Sequence, residues 1–258
     1  MMRCSRRRLL LQGLPALGLL RPAQAQAPAV VPFTLVCPDF PPLTVEKGPQ
    51  APGLLVELLL RLGEELGLEL QPQFYPFARA ALLAQRGPRV AIAPLARIPA
   101  RESQYRWLVP LFQQRYVMVA RAERWAALPK GGSLLGLKVV TLRGAIGARR
   151  LRELRYQQVG EEGSYEHLLR RLDEGSADLA YVSQPLFVGA LQSSGRKPGD
   201  YRQGPSHDLL EIWLAGSLDF GEADAQALRA ALERLKRDGS YARFVQHANL
   251  GPDLIANR

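Results

Sequence analysis

The residue types that most often carry chemistry are sparse in this chain and badly spaced for it. His167, His207 and His247 stand far apart, with no separation that would bring two imidazoles to one metal. No Gly-x-Ser-x-Gly elbow and no cysteine–histidine pairing occurs, so nucleophilic catalysis has no visible machinery. Carboxylates come in adjacent pairs, Glu64-Glu65 and Glu161-Glu162, which read as solvated faces or turns. Five arginines (143, 149, 150, 152 and 155) cluster, and a run of this kind is usually one solvated helix face. Cys37 ends an apolar pentapeptide and reads as a packing residue. Nothing in these features demands an enzyme. They call for no cofactor, metal or nucleic acid.

The N-terminus bears on the compartment. Arg3, Arg6, Arg7 and Arg8 precede the apolar run Leu9–Leu20, and Ala23-Gln24-Ala25 offers a small-x-small cleavage pattern. The run is 12 residues long, short of the ~20 that span a bilayer. Residues 1–25 therefore read as a signal peptide that exports the chain to the periplasm. Ser5-Arg6-Arg7-Arg8-Leu9-Leu10 is also similar to a twin-arginine signal. Cys4 precedes the apolar run and cannot serve as a lipoprotein cysteine. Cys37 is then the single cysteine of the exported part, so no internal disulfide forms and stability must come from burial. The segment 1–25 holds five arginines and no acid, so the formal charge of +10 falls to +5 without it. That is too modest to imply a nucleic-acid partner.

The elements that must position a site alternate along the chain. Phe33–Cys37 reads as a buried strand stopped by prolines. Leu54–Leu66 carries leucines at helical spacing and ends at Gly67. Leu68–Phe74 reads as a strand, 77–85 as a helix and Val90–Ala93 as a strand. After a strand at Arg115–Ala120 the alternation resumes: strand Leu137–Leu142, a helix from Ala148, a helix from Tyr165 capped by Ser164, and strand Leu179–Val182. Leu209–Ala215 and the amphipathic helix Glu222–Arg237 close the chain. This is an α/β pattern of two mostly parallel units with one strand crossing out and another crossing back. The lobes expected are 28–119 with 208–258, and 120–207. A ligand would lie in the crevice between them, at the strand ends.

At this level the chain resembles the family 3 periplasmic solute-binding proteins, the substrate-binding type of polar amino-acid transporters. Phe40-Pro41-Pro42-Leu43 resembles the family's first ligand loop, and Gly53-Leu54-Leu55-Val56-Glu57-Leu58 the start of its first helix. Tyr75-Pro76-Phe77-Ala78-Arg79-Ala80, Arg97-Ile98-Pro99-Ala100-Arg101-Glu102 and the helix ending Asp238-Gly239-Ser240-Tyr241 are similar to further segments.

The resemblance implies a type II two-lobed periplasmic-binding-protein fold, a hinge of two crossing strands, a monomer, and a membrane ABC permease as partner. It places the family's carboxylate-binding arginine on Arg101, with Arg97 beside it, and the second-lobe anion loop on Arg143, Gly144 and Gly147. Phe40, Leu54 and Tyr75 would supply an apolar or stacking wall. The family's amine-binding aspartate falls on Ser183, and its polar first-lobe positions fall on Ala93, Pro94, Ala96 and Ile98. A buried ammonium without partners is costly, so a carboxylate lacking the amine fits better than a standard amino acid. Two alternatives remain open at this point. One is an enzyme on the same scaffold, a dehydratase of cyclic carboxylic acids with Asp39 or Glu57 as the acid. The other is a sensor or partner-binding module that has lost its ligand.

Overall fold

The computed structural model describes residues 31–129, 133–248 and 250; the segment read as a signal peptide lies outside them. Strand β1 (Thr34–Cys37) leads through a proline-rich loop to helix α1 (Leu54–Glu64), which buries Leu55, Leu58, Leu59 and Leu62. Gly53 opens that helix at φ 94°, and a Cβ there would lie 2.7 Å from the Leu43 carbonyl oxygen. Only glycine permits both the dihedral and the approach. Strand β2 (Pro72–Phe74), helix α2 (Phe77–Arg86) and strand β3 (Val90–Ala96) complete the first run. A 3-10 turn, Pro99–Arg101, follows.

The second run contains β4 (Arg106–Arg121), α3 (Ala122–Ala126), β5 (Lys138–Leu142), α4 (Gly147–Glu153), β6 (Gln158–Glu162), α5 (Tyr165–Asp173), β7 (Leu179–Ser183) and α6 (Gln184–Ser193). Strand β8 (Tyr201–Gly216) returns, and helices α7 (Glu222–Arg237) and α8 (Ser240–His247) pack back on α1.

All eight strands form one mixed sheet in the order β2-β1-β3-β8-β4-β7-β5-β6. Parallel pairs flank each end, while the central β8 and β4 run antiparallel for nearly their whole length, from Arg106↔Gly216 to Arg121↔Tyr201. The C-terminal part of β8 carries β3 and the C-terminal part of β4 carries β7. The two α/β units are thus joined by two long shared strands, as the crossing pattern implies.

Three expected strands change in extent. The strand expected at Leu68–Phe74 shrinks to Pro72–Phe74, and the strands expected at Arg115–Ala120 and Leu209–Ala215 grow to 16 residues each. Pro110 and Gly204 punctuate the sequence of these long strands. The antiparallel ladder absorbs Pro110 beside a register shift opposite Trp213. Among the described residues, no helix is long and apolar enough to cross a membrane, and no cluster of three potential metal ligands occurs.

Candidate functional site

Arg101 ends the 3-10 turn, where Ile98 is extended ahead of Pro99 and turns the chain inward. The residue is 9% exposed. Its Nη1 donates to the Ala96 carbonyl at 3.2 Å, and its Nη2 crosses to the Gly144 carbonyl at 2.9 Å. The guanidinium lies 5.7 Å from the centre of the Phe77 ring. Burial lowers its pKa, opposed by the phenols of Tyr105 and Tyr116, and no carboxylate contributes. A buried cation held only by neutral carbonyls and a ring face is short of negative charge.

That guanidinium lines an inner cavity of about 30 Å³, room for a water molecule or two. The walls come from both units. Phe40 stacks on Phe77 at 5.8 Å and meets Tyr165 edge-on at 5.9 Å, while Tyr116 and Tyr181 lie 5.4 Å apart. A short chain of hydrogen bonds backs part of the polar lining. Ser183 Oγ donates to Gln114 Oε1 at 3.0 Å, and Gln114 Nε2 donates to the Tyr116 oxygen at 3.3 Å. Burial pushes the Tyr116 phenol up to about 12, with Arg101 acting the other way. Burial also holds the Tyr165 phenol well above its usual value. Tyr181 is raised first by burial and then by its hydrogen bond to Asp208. The aromatic hydroxyls are therefore neutral donors across the ordinary pH range.

A second, open groove of about 260 Å³ lies along the hinge between the Ile98–Ala100 turn and α4. Ile146 borders both spaces. Here the charges are matched. Arg150 Nε donates to Asp208 at 2.9 Å, Arg149 Nε donates to Glu153 at 2.8 Å, and the Tyr181 hydroxyl donates to Asp208 from the cleft side.

The residues singled out from the sequence separate in space. Phe40 and Arg101 line the inner cavity. Gly144 meets it through its carbonyl, in the left-handed region at φ 75°. Ser183 is fully buried behind the lining and bonds to Gln114. Gly147 is packed on Thr141, where a Cβ would come within 1.8 Å of Oγ1. Arg143 is exposed and donates to the Glu161 carbonyl at 3.1 Å, so its guanidinium faces β6. Arg97 is paired with Glu102 at 2.9 Å and lies 4.7 Å from the Trp213 ring centre. Tyr75 donates to Gln73, and its ring is faced by Arg79. Leu54 lines an outer groove between α1 and α8. Arg143, Arg97, Tyr75 and Leu54 thus stand apart from the cavity that Arg101 enters.

Asp39 and Glu57 do not line that cavity either. Asp39 caps the Glu46 N–H at 3.1 Å, and Glu57 borders the α1–α8 groove. Three of the clustered arginines, Arg149, Arg150 and Arg152, pair with Glu153, Asp208 and Glu161, as a solvated face does.

Phe77, Gln114, Tyr116, Thr141, Tyr165 and Tyr181 were not among the residues singled out from sequence. They converge from five separate elements. Only the crossing-strand topology could have flagged Gln114 and Tyr116, which sit where β4 passes from one unit to the other.

Two α/β units sharing a pair of crossing strands, with a buried arginine at the seam, define the type II periplasmic-binding-protein fold. Within that class the chain belongs to the bacterial extracellular solute-binding proteins, family 3, whose model matches residues 34–248. Solved structures share the fold at low identity. A substrate-binding protein of an ABC uptake transporter from Streptococcus pneumoniae with bound histidine has a TM-score of 0.75 at 13% identity, covering 87% of this chain and 95% of its own. A histidine kinase sensor domain with similarity to periplasmic binding proteins gives 0.75 at 19%, over 86% and 97%. A mutant of ArgBP from T. maritima gives 0.73 at 17%, over 85% and 96%. No curated protein matches the chain.

Proposed function

We propose that the protein is an exported clamp for a small carboxylate-bearing solute lacking an α-amino group, and that Arg101 is the carboxylate-binding group. The observation that carries this reading is the buried Arg101 guanidinium with no carboxylate partner among the described residues. A guanidinium fork takes a carboxylate through two parallel, charge-assisted bonds. The inner lining contains no aspartate or glutamate to hold an ammonium. Lobe one (28–119 with 208–258) would bring Arg101 and Phe40. Lobe two (120–207) would bring Tyr165, Tyr181 and the Gly144 turn. The arginine-rich leader at 1–25 supports export to the periplasm, and the family supports an ABC permease as the partner that receives the solute.

Thermal-shift screening against acetate, succinate, benzoate and the common amino acids tests the reading. A carboxylate at 100 times its Kd stabilises the fold by about 2.7 kcal/mol. Arg101→Ala is expected to abolish that shift, and Arg101→Lys to weaken it, because an ammonium cannot make the paired fork. A shift that survives in Arg101→Ala overturns the assignment.

The size of the inner cavity favours a second reading. At about 30 Å³ it is far below the volume of a typical ligand pocket. A module that has lost its solute and acts through a partner would look this way. No stabilisation by any acid in the screen decides for it.

A further inference from the structure

Ser183, Gln114 and Tyr116 share one face of the sheet. Gln114 and Tyr116 stand two apart on β4, and Ser183 on β7 pairs directly with Tyr116. All three are buried. Ser183 also occupies the N-cap position of α6, where a serine hydroxyl ordinarily accepts from the helix's free N–H groups. It makes no such bond. Its hydroxyl is turned to Gln114 Oε1 at 3.0 Å, and Gln114 Nε2 donates in turn to the Tyr116 oxygen at 3.3 Å.

These bonds run one way. Ser183 holds the oxygen end of the amide, and the nitrogen end makes the Tyr116 oxygen an acceptor. The Tyr116 O–H donates to no acceptor among the described residues, and Tyr116 lines the same cavity as Arg101. Gln114 lines it too, with both ends of its amide already engaged.

We propose that Tyr116 is the second carboxylate-recognising group of the cleft: its O–H, left free by the Ser183–Gln114 chain, donates to the solute carboxylate that Arg101 holds. Gln114 and Ser183 are the positioning residues behind it. The inference rests on the reading of Arg101 as the carboxylate group and names what else selects the solute. An O–H donor to an ionised oxygen makes a short, charge-assisted bond. An ammonium would instead need the Tyr116 oxygen to accept a second bond. It would also sit beside the Arg101 cation, which repels it.

The test is calorimetry of acetate, succinate and benzoate on the wild type, Tyr116→Phe, Ser183→Ala and the double variant, with Arg101→Ala as the reference for lost binding. Tyr116→Phe removes only the hydroxyl and is expected to weaken acid binding about ten- to hundredfold, as for a hydrogen bond to a charged group. Ser183→Ala is expected to weaken it several-fold alone and to add nothing once the hydroxyl is gone, because it acts only through Tyr116. An equal loss from Ser183→Ala in both backgrounds overturns the proposal, since Ser183 would then touch the solute itself. Acid binding that is lost in Arg101→Ala yet unchanged in Tyr116→Phe overturns it too, and leaves the carboxylate reading standing. Binding of no acid overturns both. A nuclear Overhauser measurement on the wild type needs no acid. The Gln114 side-chain amide protons are expected to show contacts to the Tyr116 ring; contacts to the Ser183 β-protons instead overturn the proposal.

Discussion

The inner cleft and the hinge groove lie on either side of Ile146 and differ in opposite senses. The groove is several times larger, and its ionic side chains are matched: Arg150 with Asp208, Arg149 with Glu153. The cleft is nearly filled by rings, yet it holds a guanidinium with no counter-ion among the described residues. Volume therefore does not mark the place where this molecule lacks a partner; charge does. A solute entering the groove must break ion pairs that already satisfy each other. One entering the cleft finds a cation whose charge no described carboxylate balances.

Four changes break or sharpen that contrast. The largest effect belongs to the groove. Asp208→Ala removes both the nearer counter-ion of Arg150 and an acceptor of the Tyr181 hydroxyl. It is expected to destabilise by about 2–3 kcal/mol, read as a lower denaturant midpoint at unchanged slope. Next is Gly147→Ala. Its Cβ meets Thr141 beneath the Gly144 turn, and the overpacking is expected to lower stability by about 1–3 kcal/mol in the same measurement.

Arg101→Met should behave unlike either. It removes a buried charge that has no counter-ion, so stability is expected to stay within about 1 kcal/mol of wild type or to rise, even as carboxylate binding is lost. A loss as large as that of Asp208→Ala would erase the contrast between the two sites.

The smallest effect is read by titration. Tyr116 is held protonated up to about 12, against 10.0 for a free phenol. Between those values the unfolded chain gives up a proton that the folded one keeps. This contribution to stability is therefore full below pH 10 and is lost as pH rises towards 12. Arg101 lowers this pKa, so Arg101→Met should move the phenolate absorbance step still higher.

Much of the scaffold was legible because its signals are local. The leucines of α1 repeat at the helical period, and they are the residues that are buried. Ser164 was readable as a cap, and its Oγ accepts from the His167 N–H at 3.2 Å. The long central strands were only half legible, because their antiparallel pairing with each other, not propensity, extends them past Pro110 and Gly204.

Of the candidate site, Arg101 and Phe40 could be placed by resemblance because each sits in a short recognisable segment. The tyrosines could not. Tyr116, Tyr165 and Tyr181 stand on three elements, each reading as part of an ordinary buried face, and only the sheet order brings them to one cavity. Arg143 and Arg97 show the converse. Sequence put them beside the ligand segments, but each guanidinium turns to a nearer acceptor, the Glu161 carbonyl or the Glu102 carboxylate.

The pairing of β3 with β8 has a consequence for how the chain is made. Ala96 finds its partner Ile212 only after the whole second unit has been synthesised between them. Until then β3 presents an open edge of apolar residues to anything nearby. The first unit, though begun first, must be finished last, and pairings this distant in sequence form slowly. A chain stopped before β8 would leave that edge permanently bare and is expected to aggregate. One stopped just after β8 would have its sheet complete but would lack α7 and α8 to cover it.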